Sequence, residues 1–450
     1  MFVVLVGATS CFQYPHPLTG DAGAAGDGGG VDALPALCRD GIQDGDETDV
    51  DCGGSCAWCG SGQRCAIASD CVTGSCSTDT NTCSPHNAVT FADAVSYVAS
   101  YKPYVMLSAD LDGDGDVDLA VANEEGNAIT VFRNLGSSSG MFLAVPTTDG
   151  FPTGEYPTGG AIADFNRDGV PDIITANFHG DSVSILLGAG TGDAYTLMPP
   201  ASYATSAGAE TSNLAVGDLN RDGIPDVIAT NPQTSSISVF IGRADGTMGP
   251  ASNVTIGTAG HSQPYSVAIG DFDGDGIDDA AVADNASATM FIELGNGDGT
   301  FHLAPSQPSI GGDQSFIVIA HDMNLDGKLD LVVANRSSDD VSVLLGRGDG
   351  TFRAARVSST GSNTGPYSLA VADFDHDGLL DVVTADYVSS SASVLLGRGD
   401  GTFIDPMDAG PMGELPYGVA VGDFNGDGRP DFATANAISD DMAVKMNTSQ

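Results

Sequence analysis

The sequence predicts an all-β fold, in which a seven-bladed β-propeller follows a small disulfide-rich module. Three observations predict it. An acidic nine-residue motif occurs seven times between Asp110 and Asp431, at intervals of 50 to 54 residues. Four short runs of strand-forming residues accompany each copy, which is the content of one propeller blade. All nine cysteines lie within the first 83 residues, so the repeats contain none.

The repeated motif is D-x-[DN]-x-D-G-x-x-D, with oxygen-bearing side chains at positions 1, 3, 5 and 9 and glycine at position 6. Its copies begin at Asp110, Asp164, Asp218, Asp271, Asp322, Asp373 and Asp423. One copy would carry little weight, because Asp and Gly are common in turns. Seven copies at a nearly constant period indicate an internal structural repeat.

The segments around each motif have strand-like patterns. One apolar run precedes the motif (368–372, for example), a second follows it (331–334), and a third comes next (341–345). A glycine-rich turn, GRGDGTF from Gly346, then leads into a fourth, less regular strand. Since no helical periodicity interrupts this order, each period corresponds to one four-stranded blade.

The last copy is followed by only two further strand-like runs before Gln450, so its fourth strand is missing. A segment ahead of the first motif has the corresponding pattern, because the Thr-Phe pair at 90–91 matches the pairs at 351–352 and 402–403. We therefore predict that residues 89–98 pair into the final blade and close the ring. The propeller then spans residues 89–450.

The chemistry of the motif indicates a cation site. Hard oxygen ligands at alternating positions around a glycine turn suit Ca²⁺, and the position-7 carbonyl would add a further ligand. An EF-hand would need Glu at position 12, where these copies carry Val, Thr or Ala, and Mg²⁺ prefers fewer protein ligands and more water. A plain Asp/Gly-rich turn is the alternative, but seven copies in register favour up to seven calcium ions. The predicted ligands, in chain order, are Asp110, Asp112, Asp114, Asp116, Asp118, Asp164, Asn166, Asp168, Val170, Asp172, Asp218, Asn220, Asp222, Ile224, Asp226, Asp271, Asp273, Asp275, Ile277, Asp279, Asp322, Asn324, Asp326, Lys328, Asp330, Asp373, Asp375, Asp377, Leu379, Asp381, Asp423, Asn425, Asp427, Arg429 and Asp431.

The charge of the chain limits its partners. Sixty Asp and Glu residues against 15 Lys and Arg give a formal net charge of −45. Such a surface repels nucleic acid and anionic membranes, so neither is expected as a partner. Disorder is disfavoured because 41% of the residues are hydrophobic.

The cysteine-rich segment 38–83 contains eight cysteines, Cys38, Cys52, Cys56, Cys59, Cys65, Cys71, Cys76 and Cys83. An even number of cysteines in a segment too small to bury a core predicts a disulfide framework and an oxidising compartment. Zinc binding is the alternative, because Cys56 and Cys59 have CxxC spacing. The cluster contains no histidine, and four bridges use all eight thiols, so disulfides are favoured.

The first 11 residues suggest export. Residues 1–10 are apolar and too short to span a bilayer, and no other segment is long and apolar enough to do so. The triplet Thr-Ser-Cys ending at Cys11 resembles a bacterial lipobox, although Ala8 replaces the usual Leu. We predict a lipid anchor at Cys11, with an ordinary cleaved signal as the alternative, and a flexible tether over 12–37. The protein is then secreted or an outer-surface bacterial lipoprotein.

With these loops and flanking strands, the region from Val89 to Gln450 resembles the FG-GAP/VCBS repeats of integrin-α-like seven-bladed propellers. The literal FG and GAP triplets are not regularly present, so the similarity is to the calcium-loop variety of bacterial surface proteins. The resemblance implies that the loops join the first two strands of each blade on one face and bind Ca²⁺ there. It also implies extracellular binding or cell adhesion, with sugar recognition in some members. The cysteine cluster resembles disulfide modules ahead of binding domains in bacterial lipoproteins.

The face opposite the loops carries two recurring sets of residues. Six positions before each motif stand Tyr104, Thr158, Ser212, Tyr265, Phe316, Tyr367 and Tyr417. After each second strand stand Asn123, Asn177, Asn231, Asp284, Asn335, Asp386 and Asn436. A candidate ligand surface includes Tyr104, Tyr265, Tyr367, Tyr417, Asn123, Asn177 and Asn335, with grooves between blades that bind sugar. The structural alternative is favoured over it: the aromatic rings fill blade junctions and the amides satisfy turn backbone.

Three functional classes remain, namely a calcium-dependent binding protein, a hydrolase or lyase acting on extracellular polysaccharide, and a purely structural surface module. His179 and His261 have no nucleophile or acid partner evident in the sequence, so we predict a protein that is not an enzyme. The RGD triplets at Arg347 and Arg398 are explained by turn chemistry. The expected partner is an extracellular glycan or protein.

Overall fold

The computed structural model describes residues 89–136, 140–145, 150–258 and 260–449, and the backbone of three two-residue strands nearer the N-terminus. Apart from the backbone of those strands, the predictions for residues 1–11, 12–37 and 38–83 lie outside the described residues. This includes the lipid anchor at Cys11, the tether and the disulfides. In the described part of the chain, no helix is long and apolar enough to cross a membrane.

Seven antiparallel sheets form the described propeller, and each contains four main strands. Blades 1 and 2 consist of β5 (Pro103–Ala109), β6 (Asp118–Asn123), β7 (Ala128–Asn134) and β8 (Phe142–Val145), then β10 (Pro157–Ala163), β11 (Asp172–Asn177), β12 (Ser182–Leu186) and β15 (Ala201–Ala204). Blades 3 and 4 consist of β16 (Leu214–Gly217), β17 (Asp226–Asn231), β18 (Ser236–Phe240) and β19 (Ser252–Thr255), then β20 (Pro264–Gly270), β21 (Asp279–Asp284), β22 (Thr289–Gly295) and β23 (Phe301–Leu303).

The remaining three blades follow the same order. Blades 5 and 6 consist of β24 (Ser315–His321), β25 (Asp330–Asn335), β26 (Asp340–Leu344) and β27 (Arg356–Ser359), then β28 (Pro366–Ala372), β29 (Asp381–Asp386), β30 (Ser391–Leu395) and β31 (Met407–Pro411). Blade 7 consists of β32 (Pro416–Gly422), β33 (Asp431–Asn436), β34 (Asp441–Lys445) and β4 (Val95–Val98). The predicted all-β seven-bladed propeller is therefore confirmed.

Several shorter elements accompany the blades. They are β1 (Val3–Val4), which pairs with β10; β2 (Cys76–Ser77), which pairs with β3 (Thr82–Cys83); β9 (Phe151–Pro152), which pairs with β7; the hairpin of β13 (Gly188–Ala189) and β14 (Thr196–Leu197); and two 3₁₀ turns at Gly192–Ala194 and Pro232–Thr234. Those two turns are the only helical segments in the part of the chain that the structure describes.

The first strand of each blade lines the centre of the ring, and each contacts the first strands of its two neighbours. The second strands are buried along their whole length, as β25 shows, which explains their nearly continuous apolar sequences. Apolar side chains of adjacent blades share one core: Val131 of blade 1 and Ile162 of blade 2 belong to the same buried cluster. The outer strands alternate between exposed and half-buried residues, as β27 does.

Blade 7 takes its strands from both ends of the propeller sequence. Strand β4 pairs antiparallel with β34, with Val95 opposite Val444 and Val98 opposite Asp441. Phe91 forms a bridge with Asn447, as Phe352 does with Gly346 in blade 5. The Phe91 ring also packs edge-on against Phe432, with the ring centroids 5.0 Å apart. Regular strand pairing covers only Val95–Val98. The residues before this strand contact blade 7 through the bridge and the ring of Phe91.

Candidate metal loops and ligand cavity

Each acidic motif forms the loop between the first and second strands of its blade, as residues 110–117 do between β5 and β6. All seven loops therefore lie at the same end of the ring. The aromatic position six residues earlier lies near the start of the first strand. Six residues of extended chain span about 20 Å, so the loops and these side chains occupy opposite faces of the propeller.

The position-1 carboxylate organises the loop backbone. In blade 5, Asp322 Oδ1 accepts a hydrogen bond from the Asp326 N–H at 3.0 Å, and its Oδ2 accepts one from the Gly327 N–H at 2.8 Å. Asp110 does the same in blade 1, where its Oδ2 accepts from the Gly115 N–H at 3.0 Å. The loop is thus wrapped around a side chain that offers oxygen atoms to a cation.

The glycine at position 6 is required by backbone conformation and not by space. Its φ is positive in all seven loops, from +77° to +95°. In blade 5, a Cβ built on Gly327 would meet no atom within 4 Å. Position 4 also has positive φ but tolerates side chains, since Leu325 lies there with φ of 57°. At the positive φ of position 6, a residue with a Cβ is disfavoured.

We expect Gly327→Ala to lower the free energy of unfolding by about 1 kcal/mol, because alanine at positive φ is strained. Leu325→Gly is the matched control. It gives blade 5 the glycine that blades 1, 4 and 7 carry at position 4 (Gly113, Gly274 and Gly426), and it should have little effect. Denaturant unfolding of the full chain in millimolar calcium measures both. Equal midpoints for Gly327→Ala and the unaltered protein would contradict the conformational argument.

The position-9 aspartate connects three parts of each blade. Asp118 is fully buried; its Oδ2 accepts from the Leu111 N–H at 3.0 Å, and its Oδ1 accepts from the Asn134 N–H at 2.8 Å. Equivalent pairs of bonds occur in the other six blades. The side chain therefore links the loop, the second strand and the end of the third strand.

Burial makes the position-9 carboxylates costly to ionise. It raises the pKa of Asp118 to about 7 and that of Asp279 to about 6, although the backbone donors act in the opposite direction. The same burial raises the pKa of Asp172 and Asp431 to about 7. A bound divalent cation would favour the ionised form, because an opposite charge close by lowers a carboxyl pKa.

Three loops bring three carboxylates together at positions 1, 3 and 9. The groups are Asp110, Asp112 and Asp118; Asp271, Asp273 and Asp279; and Asp373, Asp375 and Asp381; in each group the ligand atoms lie within 4.8 Å of one another. The other four loops carry Asn at position 3, as Asn324 does in blade 5. Carboxylate and amide oxygens at this spacing fit a hard cation such as Ca²⁺.

Two loops also have a carboxylate in an ion pair with an arginine. In blade 1, Arg133 Nη1 lies 3.5 Å from Asp112 Oδ2, and in blade 7, Arg429 Nη2 lies 2.7 Å from Asp427 Oδ2. These contacts offset part of the local negative charge. The seven loops share one backbone design but differ in net charge, so their cation affinities are expected to differ.

On the opposite face, a β-bulge directs one side chain towards the centre in six of the seven blades. Strand pairing between the first and second strands shifts register at Tyr104, Thr158, Tyr265, Phe316, Tyr367 and Tyr417. A bulge changes the direction in which a side chain points. These six residues and Ser212 of blade 3 line one cavity of about 160 Å³ on the propeller axis.

The aromatic residues pack against one another at this cavity. Tyr104 stacks on Tyr417 with ring centroids 4.4 Å apart, and Phe316 stacks on Tyr367 at the same separation. The hydroxyls of Tyr104 and Tyr367 hydrogen bond to each other, and burial raises the pKa of both well above the ordinary value for tyrosine. The candidate ligand surface drawn from the sequence had grooves between blades; in the structure these aromatic positions line a single axial cavity.

The amides that follow the second strands do not reach this cavity. Asn123, Asn177 and Asn335 are fully buried, and their side chains bond within their own blades. The Asn177 Nδ2 donates to Ser184 Oγ at 2.9 Å, and the Asn335 Nδ2 donates to Ser342 Oγ at 2.7 Å. The structure therefore assigns these three residues to blade stability and not to the ligand surface, as the structural alternative had it.

The remaining candidate residues have local roles. The His179 ring packs on Tyr156, with centroids 4.3 Å apart, and on Phe178 at 5.1 Å. In the first RGD triplet, Asp349 Oδ1 accepts from the Thr351 N–H at 3.0 Å and from its hydroxyl at 2.6 Å. Asp400 makes the same pair of bonds with Thr402 in the second triplet. Both triplets are thus held within their hairpins.

Glu124 and Asn213 are among the residues of the cavity wall that sequence reasoning missed. Glu124 follows Asn123 and pairs with Lys102, whose Nζ lies 2.5 Å from the carboxylate. Asn213 lies five positions before the third motif, where the other copies carry Val105, Gly159, Ser266, Ile317, Ser368 and Gly418. Comparing the copies position by position would have shown that an amide occurs there in blade 3 alone.

A family model described as FG-GAP-like repeat matches residues 110–175, 169–229, 218–282, 271–333, 322–384 and 374–434. Together the six matches extend from the first motif, at Asp110, into the second strand of blade 7, β33. This agrees with the resemblance inferred from the loops. No curated protein sequence matches the chain.

Solved structures similar to this chain are β-propellers of low sequence identity. Virginiamycin B lyase from Staphylococcus aureus is 12% identical, with a TM-score of 0.51 over 79% of this chain and 99% of the lyase. A protein from Lactobacillus plantarum is 13% identical, with a TM-score of 0.51 over 76% of this chain and 91% of the other. An Agrocybe aegerita lectin that recognises non-reducing terminal N-acetylglucosamine is 19% identical, with a TM-score of 0.48 over 75% and 86%. Similarities at these identities concern the fold alone.

Proposed function

This chain belongs to the FG-GAP-like repeat family, and on that premise we propose that it is a calcium-binding extracellular or cell-surface protein that binds a partner without catalysing a reaction. Calcium at the loops holds the propeller together, and the axial cavity on the opposite face receives part of a glycan or protein ligand. The observation that carries the proposal is the clustering of position-1, -3 and -9 carboxylates in the loops.

The loops support calcium through their donor set. Carboxylate, amide and main-chain oxygens suit Ca²⁺, whereas zinc would draw on His or Cys ligands. The position-9 carboxylates are buried, and burial raises the pKa of Asp226, for example, to about 6. A cation beside such groups removes the cost of burying negative charge. Calcium would therefore act mainly on stability, and would affect ligand binding only through the order of the blades.

The cavity supports binding over catalysis. Hydrolysis of a glycosidic bond generally uses two carboxyl groups on either side of the bond. The residues lining the axial cavity include one carboxylate, that of Glu124, which is paired with Lys102. The tyrosines could act as acids or bases only with difficulty, because burial raises the pKa of Tyr104, Tyr367 and Tyr417.

The location of the protein is part of the same proposal. Secretion or attachment to an outer surface by a lipid at Cys11 rests on the sequence of residues 1–11 and on the eight cysteines that follow. An extracellular location would also supply millimolar calcium, at which sites with a Kd of roughly 10⁻⁴ M are filled.

Calcium titration of the full chain tests the proposal. After removal of divalent ions, isothermal titration calorimetry with CaCl₂ is expected to show several sites, up to seven, with MgCl₂ at the same concentration as the control. Asp273→Ala should remove one site, because Asp273 contributes to the carboxylate group of blade 4. Absence of calcium binding at millimolar concentration would refute the proposed function.

A further inference from the structure

The axial cavity is asymmetric. Five blades send aromatic rings towards the axis, whereas blades 2 and 3 send Thr158 and Ser212. Both hydroxyls are already used in the wall: the Thr158 hydroxyl donates to the Ser212 carbonyl at 2.9 Å, and the Ser212 hydroxyl donates to the Tyr265 carbonyl at 3.0 Å. Blades 2 and 3 therefore carry the two small residues at this position, although Phe178 of blade 2 also lines the cavity.

One polar group in this wall has no partner. Asn213 is 7% exposed, and its Oδ1 has no hydrogen bond within the described part of the protein. A buried polar atom without a partner costs about 1–3 kcal/mol, so such atoms are uncommon in folded proteins unless a ligand or water satisfies them. The backbone of Asn213 is fixed, because its N–H bonds to Thr230 Oγ1 at 3.1 Å. Asn213 is the one amide side chain among the residues that line the cavity.

The size of the cavity limits the occupant to one ring. A cavity of about 150 Å³ accommodates a benzene molecule, and this one measures about 160 Å³. A six-membered ring with small substituents fits, with longer groups extending through the mouth. A peptide helix or strand does not fit in this volume.

Charge and polarity limit its chemistry. No Lys or Arg lines the cavity, and the chain carries a net charge of −45, which disfavours an anion. The Glu124 carboxylate is paired with Lys102, so the one carboxylate of the wall already has a counter-charge and is not free to hold a cation. A neutral ring with hydroxyl groups remains, because a hydroxyl both donates to and accepts from an amide.

We propose that the axial cavity binds a single pyranose residue at the end of a glycan, with one of its hydroxyls hydrogen bonded to the Asn213 amide and its apolar face against the aromatic wall. The proposal rests on the ligand-binding function proposed above and specifies the ligand class and the number of sites. It places one sugar on the propeller axis, between the small residues of blades 2 and 3 and the rings of the other blades.

Binding of methyl pyranosides to the full chain in millimolar calcium tests the proposal. The panel contains the methyl glycosides of glucose, galactose, mannose, fucose and N-acetylglucosamine, measured by isothermal titration calorimetry. We expect at least one of them to bind with one site per chain. Asn213→Ser introduces the residue that blades 4 and 6 carry at this position (Ser266 and Ser368), and it should weaken binding about ten-fold or more, since the amide hydrogen bonds are lost.

A second variant tests the location independently. Thr158→Tyr gives blade 2 a ring like those of five other blades, so the propeller should still fold while the added ring occupies part of the cavity. Binding should be abolished, with the melting temperature and the number of calcium sites unchanged. Asn296→Ala, in an exposed hairpin, is the control and should bind like the unaltered protein.

The outcomes separate this inference from the proposed function. If calcium binds but none of the pyranosides does, the sugar inference is wrong and the calcium-binding proposal stands. Several sugars per chain, or binding that survives Thr158→Tyr, would show repeated sites between blades and overturn the axial site. If calcium itself does not bind, the proposed function fails whatever the sugars do.

Discussion

Chelation of calcium with EGTA is expected to lower the melting temperature of the full chain by roughly ten degrees or more. Each loop holds several carboxylates close together, and in blade 4 those of Asp271, Asp273 and Asp279 have ligand atoms within 4.8 Å of one another. Without a cation these groups repel one another, and the buried position-9 carboxyls have no counter-charge. All seven blades lose this support at once.

The magnitude follows from mass action. With a Kd of roughly 10⁻⁴ M and about 1 mM free calcium, each site stabilises the folded state by about 1.4 kcal/mol. Seven independent sites would contribute roughly 10 kcal/mol, comparable to the usual stability of a whole domain. Coupling between neighbouring blades makes this sum an upper value.

Calorimetry in EGTA and in millimolar CaCl₂ measures the effect, and EGTA with excess MgCl₂ is the control. Asp273→Ala should lower the free energy of unfolding by about the 1.4 kcal/mol that one calcium site contributes. Asp273→Asn is the matched variant, because Asn stands at this position in four other loops, and it should keep most of the calcium-bound stability. Overlapping transitions with and without EGTA would be incompatible with a stabilising role for calcium.

Deletion of residues 1–100 is expected to leave an aggregating or poorly cooperative propeller, whereas deletion of residues 1–87 should leave it folded. The longer deletion removes β4 and Phe91, which exposes the edge of β34 and uncovers the ring of Phe432, buried in blade 7. An unpaired strand edge beside uncovered apolar surface promotes association between chains. The shorter deletion retains every contact described for blade 7.

Thermal melts followed by light scattering distinguish the two deletions, both in millimolar calcium. Phe91→Ala in the full chain is a milder form of the longer deletion, and Phe352→Ala is its counterpart in blade 5, where the bridge to Gly346 lies within continuous chain. If the two deletions melt alike and stay monomeric, residues 89–98 do not hold the ring closed.

Most of the fold could be predicted from the sequence, because each blade repeats the same local signals. The position-9 aspartates mark where the second strands begin, and the glycine at position 6 marks the turn before them. The blades differ where a copy departs from the pattern: β16 of blade 3 is four residues long, and the corresponding strand of blade 4 has seven. Such lengths depend on how the strand packs, which the motif does not encode.

The site was less predictable, because it depends on which side chains meet across the ring. A single blade does not reveal that Tyr104 and Tyr367 hydrogen bond to each other, since they are separated by 263 residues. The spacing of the repeats placed Asn177 near the same face. In the structure, however, its amide donates hydrogen bonds to the hydroxyls of Ser182 and Ser184 in its own blade. Sequence periodicity identifies the face; the bulges and the radius of the ring decide which residues converge.

The sheet assembled from both ends of the propeller sequence also sets an order of events during synthesis. Thr90 and Ser449, whose N–H and Oγ meet in the finished fold, lie 359 residues apart. At about 5–20 residues per second, the early segment leaves the ribosome roughly 20–70 s before its partner exists. Through that interval Val95–Val98 stays without a neighbour, so the final blade is the last to form, and a nascent chain is most vulnerable to joining another copy of itself at this strand.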